Sequence, residues 1–375
     1  FFLFCCGFIL LFSISIYLES IYSFQLGNDK RYASVLVFLI FAIPAYFFHA
    51  IKKDTPLLLR FGVFLLISIA AGYYLHFSVP HFIQSFEAST NTGFACLALL
   101  FVLLIAEEII FAILFVVTQS TGRNNEKHYV IVCLIYLGFI TLYFLKKAGI
   151  YPEALDIANP FLLLIVSGGI AIWSFPYKQE VFAKTFGIDL NVLHFLIPLG
   201  IICTGYLSIG FISGNDPLYE SFHYTITYAH LAFGVIFFLY IIANFIDALI
   251  AGHMIYKIAY KERNFPYATA KIVGAVGFTA FFLMSNKEPL ELSQAAKFNF
   301  QANHALRNKE FRLAEEYYLQ GSIYGFNTHL SNYQLGLLAK ARNDYEVASS
   351  RFLLSTKRFP TPQSYENAAS FIPKN

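Results

Sequence analysis

The chain has 375 residues, of which 57% are hydrophobic and only 13% charged, and it carries 43 Phe and 25 Tyr. That balance excludes an ordinary soluble domain and points to an integral membrane protein. A net charge of +3, with the basic residues scattered through short loops, excludes a nucleic-acid surface.

Apolar runs able to cross about 30 Å of hydrocarbon fall near 1–18, 33–51, 56–77, 93–118, 128–146, 159–176, 190–212, 224–249 and 266–285. They predict about nine transmembrane helices and a multi-pass domain over 1–285. Pro44, Pro160, Pro198 and Pro266 punctuate the runs as helix starts or kinks, while Gly168-Gly169 and Gly274 with Gly277 offer small faces for close packing. Cys5, Cys6, Cys96, Cys133 and Cys203 lie in apolar runs without CxxC spacing and read as small buried hydrophobes.

Lys52, Lys53, Arg123, Lys127, Lys178, Lys184, Lys257, Lys261 and Arg263 fall in loops on one side, against Lys30, Arg31, Lys146 and Lys147 on the other. This bias puts the first side in the cytoplasm. With an odd number of spans, everything after Ser285 is expected outside the cytoplasm, and the segments 78–92 and 213–222, free of Lys and Arg, agree with that sidedness. The acidic residues expected near that outer surface, Glu19, Asp29, Glu153, Asp156, Asp216 and Glu220, read as solvated loop ends.

Glu107 and Glu108 stand at the middle of the apolar run from Phe94 to Val117. A carboxylate at that depth costs about 2.5–3.5 kcal/mol, so it faces a partner, a cavity or a pathway, or is held neutral by a hydrogen bond to another helix. In the eighth run, His223, Thr227, His230, Tyr240, Asn244 and Asp247 share an arc of about 160°. Such a stripe can line a cavity, receive the glutamate pair or hydrogen-bond neighbouring helices. Glu107, Glu108, His230, Asn244 and Asp247 are therefore the candidate intramembrane polar site, with no single residue assigned a catalytic role. His223 and His230 are two turns apart, about 10 Å, too far to share one metal ion. No metal or cofactor is expected.

After the polar segment 286–294, a pattern recurs at a spacing of 34 residues. One copy has Ala302, Ala314, Tyr318 and Gly321, and the next has Gly336, Ala348, Phe352 and Ser355, followed by Pro360. This resembles the tetratricopeptide repeat, whose small residues let paired helices pack closely. The resemblance implies an all-α solenoid over 295–375, reached through a linker at 286–294, with a partner groove lined by Asn299, Asn303, Tyr333, Leu337 and Lys340. Opening inside an apolar run without Met and stopping as a third repeat begins, the chain is expected to be a piece of a longer one.

The fold class expected is all-α: a multi-pass bundle followed by a helical solenoid. The function expected is a membrane-anchored scaffold that recruits a protein or peptide partner, with membrane lipid as its other contact, in a bacterial inner membrane. The alternative is an embedded enzyme or transporter built on the glutamate pair, with a glycan-processing enzyme as one form of it, since O-antigen ligase-like proteins are similar in layout. Glu107-Glu108-Ile109-Ile110-Phe111 also resembles the first motif of intramembrane CAAX-type proteases. There the expected Arg is replaced by Ala112, and none of His128, His194, His223, His230 and His253 has Phe four residues before it. The layout is also faintly similar to membrane proteins linked to exosortase-type sorting.

Overall fold

The computed structural model describes residues 32–52, 54–78, 82–119, 125–150, 159–186, 196–261, 265–285, 287–358 and 360–370, and among these every regular element is helical. The expected span at 1–18 lies outside the described residues. Among the described residues, five segments are long and apolar enough to cross a membrane: Asn91–Gln119, Asn125–Lys147, Pro160–Val181, Asp216–Ile250 and Tyr267–Met284. They give the chain the make-up of an integral membrane protein.

The chain divides into two compact units, Phe1–Ala98 and Leu99–Asn375. In the first, α1 (Tyr32–Tyr46) carries Pro44 within it and passes into a π-helical turn over Phe47–Ile51, and α2 covers Leu57–Ser78. A proline inside a helix removes one backbone donor, and the wider turn that follows is a common accommodation. The rings of Phe41 and Phe64 stack here at 6.3 Å.

In the second unit, the remainder of α3 (Phe82–Ile105) leads to a turn at Ala106-Glu107 and then to α4 (Glu108–Gln119). There follow α5 (Asn125–Lys147), α6 (Pro160–Phe186), α7 (Leu196–Ile212), α8 (Asp216–Ile250) and α9 (Tyr267–Met284). The longest of them, α8, is buried along most of its length. Its core centres on Phe237, Tyr240, Ile241 and Phe245, packed with Ile110, Phe111 and Leu114 of α4 and with Tyr129 and Cys133 of α5. Gly274 lets α9 press against α8: a Cβ there would lie 2.8 Å from the Phe233 ring.

Three boundaries differ from expectation. Helix α3 starts at Phe82, eleven residues before the apolar run at 93, so most of the segment 78–92 is helical. Helix α6 runs through Pro176 to Phe186, a full ten residues beyond the apolar run, so Lys178 is inside a helix rather than in a loop. Helix α8 starts at Asp216 rather than near 224, because Gly214 at φ +64 turns the chain and Pro217 suits the first helical turn. Most of the expected outer loop 213–222 is thus the buried start of α8. Asp216 is 5% exposed and Glu220 9%, so neither is a solvated loop end. The other four acidic residues of that set lie outside the described residues.

The C-terminal helices follow almost at once: α10 (Glu288–Arg307), α11 (Phe311–Tyr324), α12 (His329–Ala341), α13 (Tyr345–Thr356) and α14 (Pro362–Ala369). Residues 288–294, expected as linker, form the first two turns of α10. Lys287 at φ 63 makes the bend. Short connections make neighbours of consecutive helices. Ala302, Ala314, Tyr318, Leu330 and Leu335 form one buried cluster, and Ala339, Ala348, Phe352 and Ala368 the next. Gly336 faces Phe352 so closely that a Cβ would lie 2.8 Å from its ring.

Candidate functional site

The span that contains the glutamate pair is discontinuous. Its first half stops at Ile105 and its second starts at Glu108, so a negative helix end and a positive one meet at the turn. Lys271 of α9 approaches the carbonyl oxygens of Leu103 and Leu104, each at 3.4 Å, where a cation complements the negative end of a helix. Glu108 occupies the first turn of α4, where the helix dipole favours an anion.

Both carboxylates are paired. Glu107 forms an ion pair with Lys271 at 2.7 Å and accepts a hydrogen bond from the Tyr267 hydroxyl. Glu108 forms an ion pair with Lys178 and accepts a hydrogen bond from the Ser174 hydroxyl at 2.7 Å. Lys178 also lies 3.9 Å from Glu107, which couples the two pairs into one network. Glu107, Glu108 and Lys178 are each 2–3% exposed. Two carboxylates against two ammonium groups leave the cluster formally neutral, the condition for holding charges away from water.

Aromatic rings complete the enclosure. Lys178 lies 5.6 Å from the centre of the Phe111 ring and 5.3 Å from that of Tyr260, and Lys271 lies 4.9 Å from that of Phe233. Among the described residues the Tyr260 hydroxyl is buried without a hydrogen-bond partner, and burial, with Tyr267 and Glu107 nearby, holds its pKa well above the ordinary range.

The residues proposed to join the glutamates do not meet them in these contacts. His230 shares hydrogen bonds with the Tyr136 hydroxyl at 2.9 Å and the Ser167 hydroxyl at 3.4 Å, tying α8 to α5 and α6. Asn244 accepts from the Phe265 amide at 2.9 Å and donates to the Tyr240 carbonyl at 3.0 Å, which secures the return from α8 to α9. Asp247 is exposed. The polar stripe on α8 therefore bonds neighbouring segments. Sequence reasoning missed Lys178, Lys271, Tyr267 and Ser174. The available signal was that two glutamates in an apolar span need two cations, and Lys178 and Lys271 stand in or beside apolar runs.

A second polar centre lies where α8 starts. Asn215 donates to the Ala296 carbonyl at 2.9 Å and accepts from the Asn299 amide at 3.2 Å. The Asp216 carboxylate accepts from the backbone amides of His329 and Leu330, at 2.7 and 2.9 Å, and so caps α12 from another helix. Ser221 donates to the Pro289 carbonyl at 3.2 Å and Tyr224 to the Glu288 carboxylate at 2.8 Å. Arg358 pairs with Glu288 at 2.8 Å, while Glu220 is held by Lys147 at 2.8 Å. The pairing with Glu288 and Glu220 raises the Arg358 pKa although burial works against it.

This joint changes the expected partner groove. Asn299 is fully buried and also accepts from the Ser331 hydroxyl at 2.6 Å, so the chain's own Asn215 occupies its free side. Asn303 accepts from the Tyr318 hydroxyl at 2.5 Å. Tyr333 and Lys340 both meet Asn367 of α14, at 3.2 and 3.4 Å, and Leu337 packs against the cluster around Phe352. Of the five, Lys340 is the exposed one. No protein-family model, curated protein or solved structure matches this chain.

Proposed function

We propose that this protein is a membrane-anchored docking platform, in which the bundle holds a tetratricopeptide-like solenoid at the membrane surface to recruit a protein or peptide partner. The observation that carries this reading is the joint at the start of α8, where Asn215 and Asp216 bind α10 and α12 directly. A mere tether needs no such contacts. The 34-residue spacing of small residues, with Ala302, Ala314 and Ala348 buried and Gly336 against Phe352, supports the repeat reading. The partner surface left open is the α12/α14 face around Lys340 and Tyr365, the latter 53% exposed.

The positive-inside bias supports a solenoid outside the cytoplasm of a bacterial inner membrane. With Lys178 withdrawn into a buried ion pair, eight basic residues remain on that side against four.

The second reading is an embedded transporter or enzyme, a glycan-processing one among them, and the observation in its favour is the broken span with its four ionisable groups. Against a solenoid that delivers substrate to that centre stands position. Lys178 is eighteen residues along α6 from Pro160, about 27 Å, and Lys271 is one turn from the start of α9, so the cluster lies toward the end of the bundle away from α10.

Photo-crosslinking separates the two readings. A benzophenone amino acid at Lys340 or Tyr365 of the full chain in its native membrane is expected to give one discrete protein adduct, with Glu107→Gln leaving that adduct and the cellular phenotype intact. No adduct at either position, together with loss of phenotype in Glu107→Gln at normal abundance, would favour the embedded site.

A further inference from the structure

The C-terminal helices carry large apolar side chains that face solvent at one end. Ile323 is 68% exposed, Phe326 60%, Leu290 49% and Tyr324 42%. In a soluble solenoid these would be costly neighbours, and they belong to three separate elements: the start of α10, the end of α11 and the turn before α12.

Their location is fixed by contacts with the bundle. Glu288, two residues before Leu290, accepts from Tyr224 of α8 and pairs with Arg358. Thr328 stands between Phe326 and the two amides that Asp216 caps. Gly325 lies against Ala295, a Cβ there being 3.1 Å from the alanine methyl, which puts the end of α11 beside the first turns of α10. All four side chains therefore sit at the end of the C-terminal helices nearest the bundle. Helix α9 reaches that level with Leu283 and Met284, 64% and 69% exposed, the latter four residues before Glu288 opens α10, so the apolar surface continues from the spanning helix onto the C-terminal helices.

We infer that this rim is a lipid contact: Leu290, Ile323, Tyr324 and Phe326 rest in the interfacial layer of the bilayer, so that the solenoid lies on the membrane as well as on the bundle. Aromatic and branched aliphatic side chains with nearby cations are the chemistry of that layer. Lys287 and Lys357 are exposed at the same end and complement anionic headgroups. The inference rests on the reading that the bundle spans a membrane, and it adds a second attachment that orients the partner face.

The test uses the full chain in nanodiscs of phosphatidylethanolamine and phosphatidylglycerol, with the native cysteines replaced by alanine. A nitroxide is placed singly at Ile323→Cys, Phe326→Cys, Val276→Cys on the outer face of α9, and Ser350→Cys on α13. Collision with oxygen relative to a water-soluble nickel chelate reports contact with lipid. At Ile323 and Phe326 the ratio is expected to be severalfold above that at Ser350 and to approach that at Val276. A ratio at Ile323 and Phe326 equal to that at Ser350, with Val276 lipid-like, would overturn the lipid contact, leave the spanning reading intact and mark the rim as a protein-binding surface. A water-like ratio at Val276 as well would overturn the inference together with the spanning reading.

Discussion

The carboxylate of Asp216 accepts a hydrogen bond from the backbone amide of His329, at 2.7 Å, across 113 residues of sequence. One residue that opens a membrane helix thereby caps a helix of the C-terminal array. Replacing it by Asn weakens a charged cap, and by Ala leaves two buried amides without an acceptor, a loss of about 1–2 kcal/mol. Hydrogen exchange at the His329 and Leu330 amides is expected to rise in Asp216→Ala, while exchange along α13 away from the joint stays near its original rate.

The four-charge cluster predicts asymmetric mutational costs. Lys178→Met leaves Glu108 buried opposite an apolar side chain and is expected to destabilise the bundle by about 3–5 kcal/mol. Adding Glu108→Gln should recover much of that loss, because the uncompensated charge is gone. Thermal unfolding of the two variants and the double variant in detergent gives the coupling. Equal melting temperatures for Lys178→Met and the original chain would show that the pair contributes nothing.

Glycine positions divide by what surrounds them. Gly336→Ala drives a methyl to 2.8 Å from the ring of Phe352, which is fully buried, and is expected to cost about 1–3 kcal/mol. Gly169→Ala meets nothing within 4 Å and is expected to be neutral or slightly stabilising. Chemical denaturation of the two variants checks the contrast.

The proposed sidedness is tested at two positions. Lys257 lies between α8 and α9, and Ser350 lies on α13 after α9 has returned. Single cysteines at the two positions, in a chain without native cysteines, are expected to react with a membrane-impermeant thiol reagent from opposite faces, Ser350→Cys from outside intact cells and Lys257→Cys only after lysis. Labelling of both from the same face would break the span count of the second unit.

The helical class was legible in the sequence because the length of an apolar run is a local property. The ends of α6 and α8 were not. The apolar run ends at 176, yet the helix passes through Pro176, with Ser174 and Lys178 on either side held by Glu108. Gly214-Asn215-Asp216-Pro217 is a helix-start signal that an apolar count alone passes over. The glutamate pair was visible as an anomaly, but its partners were assigned to α8 because His230 and Asn244 share a face there. That face is used by Tyr136, Ser167 and the Phe265 amide instead. Asn299 was placed in an open groove by analogy of position, and only the fold shows Asn215 against it.

The C-terminal helices are fastened to the bundle at the start of α8, and proximity of Asn215 to Asn299 tests this most directly. Cysteines at these two positions, in an otherwise cysteine-free chain in membranes, would be treated with a short bis-methanethiosulfonate linker and digested for mass spectrometry. One linked peptide pair joining the α7–α8 turn to α10 is expected. Recovery of both sites singly modified, with no linked pair, would contradict it and leave the C-terminal helices as a separate body on a three-residue tether.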